Sequence, residues 1–167
     1  LSINEIKKMS TIYSNINDNN KAIQLSSKIF NKYPIIYGTS STDVVSLRFR
    51  CQLAENTKIL SSHFIVPEQN HNEIEGFEKS LDKDYVLIWI YDLDDDPQNI
   101  KRMKITSKLL SDSIQEQYFF KEDDSSLIIR LLKLIYFFDW VSFYGAIYNN
   151  VNATPVNKIL ELKSLMK

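Results

Sequence analysis

One cysteine, three glycines and four prolines stand among 167 residues, and each scarcity removes a class of protein. A lone Cys51 forms no intramolecular disulfide, which excludes a small cross-linked scaffold and fits a reducing, cytoplasmic setting. So few turn-formers argue against a turn-dense all-β fold and against a low-complexity linker. Charge of one sign is lacking as well. Twenty Lys+Arg face 21 Asp+Glu, a net charge of -1, so there is no basic field to draw nucleic acid. The chain opens on Leu1 rather than Met, as a fragment does, and nothing signal-like follows. Long uninterrupted apolar runs are missing too. The richest stretch, 127–148, carries Arg130, Lys133 and Asp139. A membrane span needs about 20 mainly apolar residues, and charges at such depths are expensive. The stretch therefore reads as a buried helix, or one covered by a partner subunit. Cys51, His63 and His71 have no zinc-site spacing, so no metal is expected. Asn152-Ala-Thr154 is formally a glycosylation sequon, with nothing else to indicate secretion.

What is present is an ordinary core-forming composition, 44% hydrophobic and 25% charged. Ile3, Ile6, Met9 and Ile12 recur at helical spacing over 2–14, and a second short helix spans 22–30 before Pro34. Pro34-Ile-Ile-Tyr-Gly38 reads as a buried strand. A hydroxyl-rich turn follows, then a helix on Val44, Leu47, Cys51 and Ala54. Residues 58–67 are strand-like, and 70–81 reads as a short helix. Tyr85-Val-Leu-Ile-Trp-Ile-Tyr91 is apolar on both faces, as a central parallel strand is. After an acidic loop at 92–97 come a helix near 100–110, a strand over 114–120 and a long helix over 124–149. Thr154-Pro155 opens the last helix, threonine as N-cap and proline at the first helical position. Strands alternating with helices predict an α/β fold, a sandwich around a mainly parallel sheet.

Three segments are furnished for chemistry, and each also has a plainer reading. Gly38-Thr-Ser-Ser-Thr42 lies between a strand and a helix start, where free N–H groups favour anions. It is equally an over-furnished N-cap. Arg48, Gln52 and Glu55 share a helix face at i, i+4, i+7, so Glu55 is a base beside an arginine or half of a surface ion pair. His71, flanked by Asn70 and Asn72, is a proton shuttle near neutral pH or an exposed histidine in a capping loop. Asp92, Asp94, Asp95 and Asp96 read as a solvated loop with an N-cap.

Together these segments resemble the C-terminal half of the bifunctional phosphoglucose/phosphomannose isomerases, which are built from SIS (sugar isomerase) domains. The resemblance rests on Ile35-Ile-Tyr-Gly38, on Arg48-Phe-Arg-Cys-Gln-Leu-Ala-Glu-Asn-Thr-Lys58 and on Pro67-Glu-Gln-Asn-His-Asn-Glu-Ile-Glu-Gly-Phe77. Asp139, Ser142, Tyr144 and Ala146 add to it, as do Thr154-Pro-Val156, Ile159 and Leu162-Lys163.

The resemblance implies a single SIS domain over 1–167, a three-layer α/β/α sandwich of flavodoxin-like type, with a first SIS domain absent. It implies aldose–ketose isomerisation of a hexose 6-phosphate, glucose or mannose 6-phosphate to fructose 6-phosphate, through a cis-enediol, without metal or cofactor. By carry-over, Glu55 is the base and His71 opens the sugar ring. Lys163 is a third candidate, as donor or charge stabiliser, because an ordinary lysine pKa of ~10.4 makes it a poor base. Thr154 is a candidate to face the sugar. The family places asparagine before the glutamate, where this chain has Ala54. Its first domain supplies a phosphate loop and an arginine, for which Thr39, Ser40 and Arg48 are the stand-ins here. Family members are homodimers in which the histidine reaches the neighbouring subunit's site. The rival expectation is a non-catalytic sugar-phosphate-binding or dimerisation module.

Overall fold

Tyr85–Ile90 has no polar face because it is an inner strand of a sheet covered on both sides. The structure, a computed structural model, describes residues 2–79 and 84–166. Among the described residues, four parallel strands run in the order β2-β1-β3-β4: β1 (Tyr33–Gly38), β2 (Ser62–Ile65), β3 (Tyr85–Ile90) and β4 (Gln117–Phe120). Register sets the two faces. Ile36 pairs with Ile88 and Tyr37 with Trp89, so side chains alternate together across β1 and β3.

The helices are α1 (Ser2–Ser14), α2 (Lys21–Ile29), α3 (Asp43–Gln52), α4 (Pro97–Leu109), α5 (Leu127–Tyr148) and α6 (Asn157–Leu165). Ile36, Val86, Ile88 and Ile90 point into a core filled by Met9 of α1, Leu25 of α2, Phe49 of α3 and Leu134, Phe138 and Val141 of α5. Ile35, Tyr37, Leu87 and Trp89 face the other way, onto Met103 of α4 and onto Phe77, Leu110 and Ile114. Tyr37 stacks on Trp89 with ring centroids 4.2 Å apart. The result is the expected three-layer α/β/α sandwich.

Each charge inside α5 has a partner, which is how so apolar a helix tolerates them. Arg130 bonds Asp92 and Asp94, Lys133 pairs with Asp124, and Asp139 with Arg48. Among the described residues, no helix is long and apolar enough to cross a membrane.

Several boundaries differ from the sequence reading. Residues 68–77 form two short 3-10 turns, Glu68–His71 and Glu73–Phe77, in place of one helix. Asn72 breaks the run, with φ -148 and ψ -63, and its side chain caps Glu73; the rest of the expected 70–81 helix runs into 80–83, outside the described residues. Helix α4 starts at Pro97 because Asp96 accepts from the Gln98 N–H and proline suits the first turn. The strand expected from Ile114 begins at Gln117, and Ile114 is buried in the preceding connection. Thr154 does not cap the last helix. It takes part in a local turn, its N–H donating to Asn152 Oδ1, and α6 begins at Asn157 with Val156 as its cap.

Two glycines permit close approaches. A Cβ on Gly38 would lie 2.5 Å from Ser46 Oγ, so β1 could not feed α3 this tightly. A Cβ on Gly145 would lie 2.8 Å from Thr57 Oγ1 and 2.9 Å from Thr57 Cγ2. Thr57 is buried there, with its hydroxyl donating to the Ser142 carbonyl at 2.8 Å. Gly145→Ala should therefore destabilise the fold by about 1–3 kcal/mol, the usual range for overpacking. Urea unfolding reads this directly, and an unchanged midpoint would show that the contact is not tight.

Candidate functional site

The chain leaves β1 toward β2 on one side and enters β3 on the other, so the β1–β3 boundary is the switch point where open parallel sheets gather ligands. Gly38–Thr42 and Asp92–Asp96 meet there. Thr39 is fully buried and its hydroxyl donates to Asp95 Oδ2 at 2.7 Å, while Ser41 donates to Asp95 Oδ1 at 2.5 Å. The Asp92 N–H also donates to Asp95 Oδ2, at 2.7 Å. Thr42 Oγ1 accepts from the Thr39 N–H and donates to the Ile90 carbonyl, both at 2.9 Å. Ser40 is exposed at the tip of the turn. A carboxylate of the chain itself thus takes the hydrogen bonds an anionic ligand would take, and an anion at Thr39 would have to displace Asp95.

The acidic segment is more than a solvated loop. Asp96 does cap α4, but Asp92 is 2% exposed and holds the buried Arg130 guanidinium through two bonds of 2.7 and 2.8 Å. Those bonds keep the Asp92 carboxyl below its ordinary range.

Glu55 stands elsewhere, in the α3–α5 layer. After Gln52 the helix widens into a π turn, Leu53–Thr57. Such turns recur at functional sites because they displace one side chain from the helical register. The turn is fastened to α5. Asn56 Nδ2 donates to Ser142 Oγ at 2.9 Å, Thr57 Oγ1 to the Ser142 carbonyl, and Asn149 Nδ2 to the Thr57 carbonyl at 3.0 Å. Glu55 is exposed and makes no ion pair among the described residues. Arg48 turns away to Asp139 on α5, through bonds of 3.1 and 2.8 Å. The shared face of Arg48 and Glu55 thus yields no ion pair, only a weaker through-space attraction.

Glu55 lines a cleft of about 720 Å³. Ala54, Lys58, Ile59 and Leu60 continue its wall, and Val151, Asn152 and residues 155–159 form the opposite one. The cleft thus brings Glu55 to the segment around Thr154. Lys163 lies farther along α6, a helix with no buried residue.

His71 is in the opposite layer. Its 3-10 turn sits beside α4, where Asn70 Nδ2 donates to Thr106 Oγ1 at 2.7 Å. Glu55 and His71 of one chain are therefore on two sides of the sheet. Two residues beyond His71 stands a buried carboxyl that the sequence pattern does not single out. Glu73 Oε1 accepts from the buried Tyr37 phenol at 3.2 Å, while its Oε2 is buried without a hydrogen-bond partner. Burial pushes the Glu73 carboxyl up to about 7, against the weaker opposing pull of the Tyr37 hydrogen bond and the nearby Gln69 amide. The available signal was that Tyr37 faces inward on a central strand and its phenol needs an acceptor.

Comparison with known proteins places this geometry in a family. Residues 18–166 match the profile of the bacterial phospho-glucose isomerase C-terminal SIS domain. A bifunctional phosphoglucose/phosphomannose isomerase of Caldicellulosiruptor bescii is 35% identical over 150 residues, 88% of this chain and 44% of the relative. Its counterpart from Aquifex aeolicus is 29% identical over 148 residues, 88% of this chain and 46% of that protein. The chain thus spans about half the length of the curated relatives it matches. Among solved structures, a glucose-6-phosphate isomerase like protein from Thermus thermophilus superposes with a TM-score of 0.68 at 14% identity, over 89% of this chain and 48% of that one. A glucosamine-6-phosphate deaminase from Thermotoga maritima gives 0.55 at 14% identity, over 81% and 43%. At these identities the two structures speak for the fold.

The raised pKa of Glu73 has a definite sign. Its folded value of about 7 stands above the 4.5 of the free side chain, so between those values the folded chain binds more protons than the unfolded one. This contribution makes stability fall as pH rises from about 4.5 through about 7 and stay low above it. Glu73→Gln should remove the slope and raise the urea midpoint at pH 8 relative to the unsubstituted chain, with little difference at pH 4.5. Parallel midpoint-against-pH curves for the two proteins would refute it.

Proposed function

This chain belongs to the bacterial phospho-glucose isomerase C-terminal SIS domain family, and on that premise we propose that it supplies the proton-transfer groups for aldose–ketose isomerisation of a hexose 6-phosphate. The observation that carries the reading is the placement of Glu55. A carboxylate with no competing ion partner among the described residues is held on a π turn in the wall of a 720 Å³ cleft. Its opposite wall includes Pro155 and Val156 of the Thr154-Pro-Val156 segment that the family resemblance also singles out, Thr154 itself lying just outside the lining.

In the open-chain aldose, the Glu55 carboxylate takes the proton from C2. The C–H pair forms the C1–C2 double bond, and the carbonyl oxygen at C1 takes up a proton. The resulting cis-enediol loses its O2 proton as C1 receives one from Glu55, leaving the ketose. A base of this kind typically contributes ~10²–10⁴-fold. His71 opens the ring, and because it lies across the sheet from Glu55, a second copy of the chain supplies it. Exposed Ile128, Leu132, Phe143 and Ile147 give α5 an outer apolar face suited to burial against another copy of the chain. Thr154, next to the lining residue Pro155, and Lys163, one helical turn beyond the lining residue Ile159, are the further donors to the sugar. Arg48 is engaged by Asp139 and Thr39 by Asp95, so of the three stand-ins only Ser40 is unengaged. The free thiol of Cys51 fits work in a reducing cytoplasm.

A coupled assay converting fructose 6-phosphate to glucose 6-phosphate tests this. Glu55→Gln should lower turnover by ~10²–10⁴-fold while the urea midpoint is unchanged; activity retained in that variant overturns the assignment. Binding of fructose 6-phosphate without turnover by the unsubstituted chain would favour the alternative, a sugar-phosphate-binding module.

A further inference from the structure

Lys58 closes the π turn in the left-handed region, at φ 61 and ψ 33, a conformation uncommon for a residue with a side chain. The placement has a visible consequence. It brings the side chain back along the turn, so that the ammonium donates to the Glu55 carbonyl and, at 2.6 Å, to the Pro155 carbonyl. One acceptor belongs to the turn that carries the base and the other to the segment leading into α6. Lys58 thus straps together the two walls of the cleft it lines. Among the described residues no carboxylate pairs with it, so its charge has no ion partner there. An ammonium has three donors, and two are directed to carbonyls.

We propose that Lys58 is a ligand-binding residue of the Glu55 cleft, its third N–H meeting the oxygen that turns anionic when the neighbouring carbon loses its proton. The proposal rests on the isomerase reading above and goes beyond it. A cation fixed to the base's own carbonyl stays with the base and serves the reacting end of the sugar. The phosphate, at the far end of a six-carbon chain, lies beyond that reach. Preorganised donors aimed at developing charge are among the strongest catalytic devices. An ammonium already held by two carbonyls needs little reorganisation to act in this way.

Two probes separate the reacting end from the phosphate. Arabinonate 5-phosphate carries a carboxylate where the enediolate charge would develop, and arabinitol 5-phosphate keeps the phosphate without that carboxylate. Calorimetry on the full chain should show Lys58→Met weakening arabinonate 5-phosphate by about tenfold or more, as for a lost charge-assisted hydrogen bond, with arabinitol 5-phosphate changed by less than about twofold. Lys158→Met, which removes an exposed cation paired with Glu161 in the same cleft, should not discriminate between the probes. Lys58→Arg keeps the charge but not the compact three-way donor, and it should fall between the two; it carries the test if the methionine variant does not fold. Equal weakening of both probes, or of neither, overturns the assignment to the oxyanion. If the unsubstituted chain binds neither probe, the isomerase reading itself fails, and that outcome is distinct from a selective failure at Lys58.

Discussion

Thr57 reaches α5 because Gly145 presents no side chain, and the geometry of the candidate base follows from that contact. Had position 145 carried even a methyl group, the threonine would be displaced by several tenths of an ångström. The bond from Thr57 to the Ser142 carbonyl would then lengthen, and the π turn would lose its deepest anchor. Asn56 and Asn149 hold the same turn from its two sides, through Ser142 Oγ and the Thr57 carbonyl. These are short polar side chains meeting backbone groups, so they fix position to within a hydrogen bond's tolerance. Glu55 directly precedes the pinned Asn56 and Thr57, and its carboxylate makes no such bond itself. A proton-transfer group needs this division, since its own lone pairs must remain available to substrate.

The same helix organises charge at its other end. Arg130 is 3% exposed and satisfied by Asp92, Asp94 and the Asp124 carbonyl. A buried ion pair of this kind is weak evidence for stability, because desolvation offsets much of the attraction. Its structural effect is clearer. Asp92 is drawn inward, the loop after β3 folds over, and Asp95 arrives against Thr39 and Ser41. The crevice where a parallel sheet usually receives its ligand is therefore filled from within. The cleft at Glu55 lies at the end of α3, away from that crevice, and its charged groups include Lys58 and Lys158 as well as Glu55.

Much of the fold could be read from local pattern. Tyr85–Ile90 has apolar residues at every position, and only a strand covered on both faces explains that. The three charges within 127–148 argued for burial in protein and against lipid, and each now has a partner. The errors arose where the deciding contact is distant in sequence or where a short polar side chain decides the local path. Arg48 and Asp139 are 91 residues apart, so the i, i+4, i+7 pattern around Arg48 suggested a neighbour it does not use. Asp92 looked solvated because Arg130 lies 38 residues on. Asn72 stops a helix that the composition of 70–81 would otherwise allow, and Asp96-Pro97 starts α4 earlier than the apolar spacing implies. Thr154-Pro155 has the composition of a helix start, yet the Pro155 carbonyl is taken by Lys58, and the helix begins beyond it. Family membership was legible because it depends on residue identity in order along the chain. Buried titration at Glu73 was not, since nothing in the sequence places Tyr37 above it.

The separation of Glu55 from His71 bears on how an active site could be assembled. The two residues lie in different layers, on opposite faces of the sheet, and side-chain motion cannot bring them together through a close-packed sheet. A mechanism that uses both must draw them from two chains or from two copies of the fold. Two surfaces are suited to that requirement. Helix α6 buries no residue and exposes Leu160, Leu162, Leu165 and Met166, while α5 exposes Ile128 and Ile147 on its outer side. Apolar exposure on this scale along two helices is unusual for a surface that stays in water. Covering α6 would also bury the helix that carries Lys163 and close the open side of the Glu55 cleft. Both apolar helices lie on the Glu55 side of the sheet, so an interface that buries them meets the base's layer, while a histidine from the opposite layer has to arrive on the other face of a second fold.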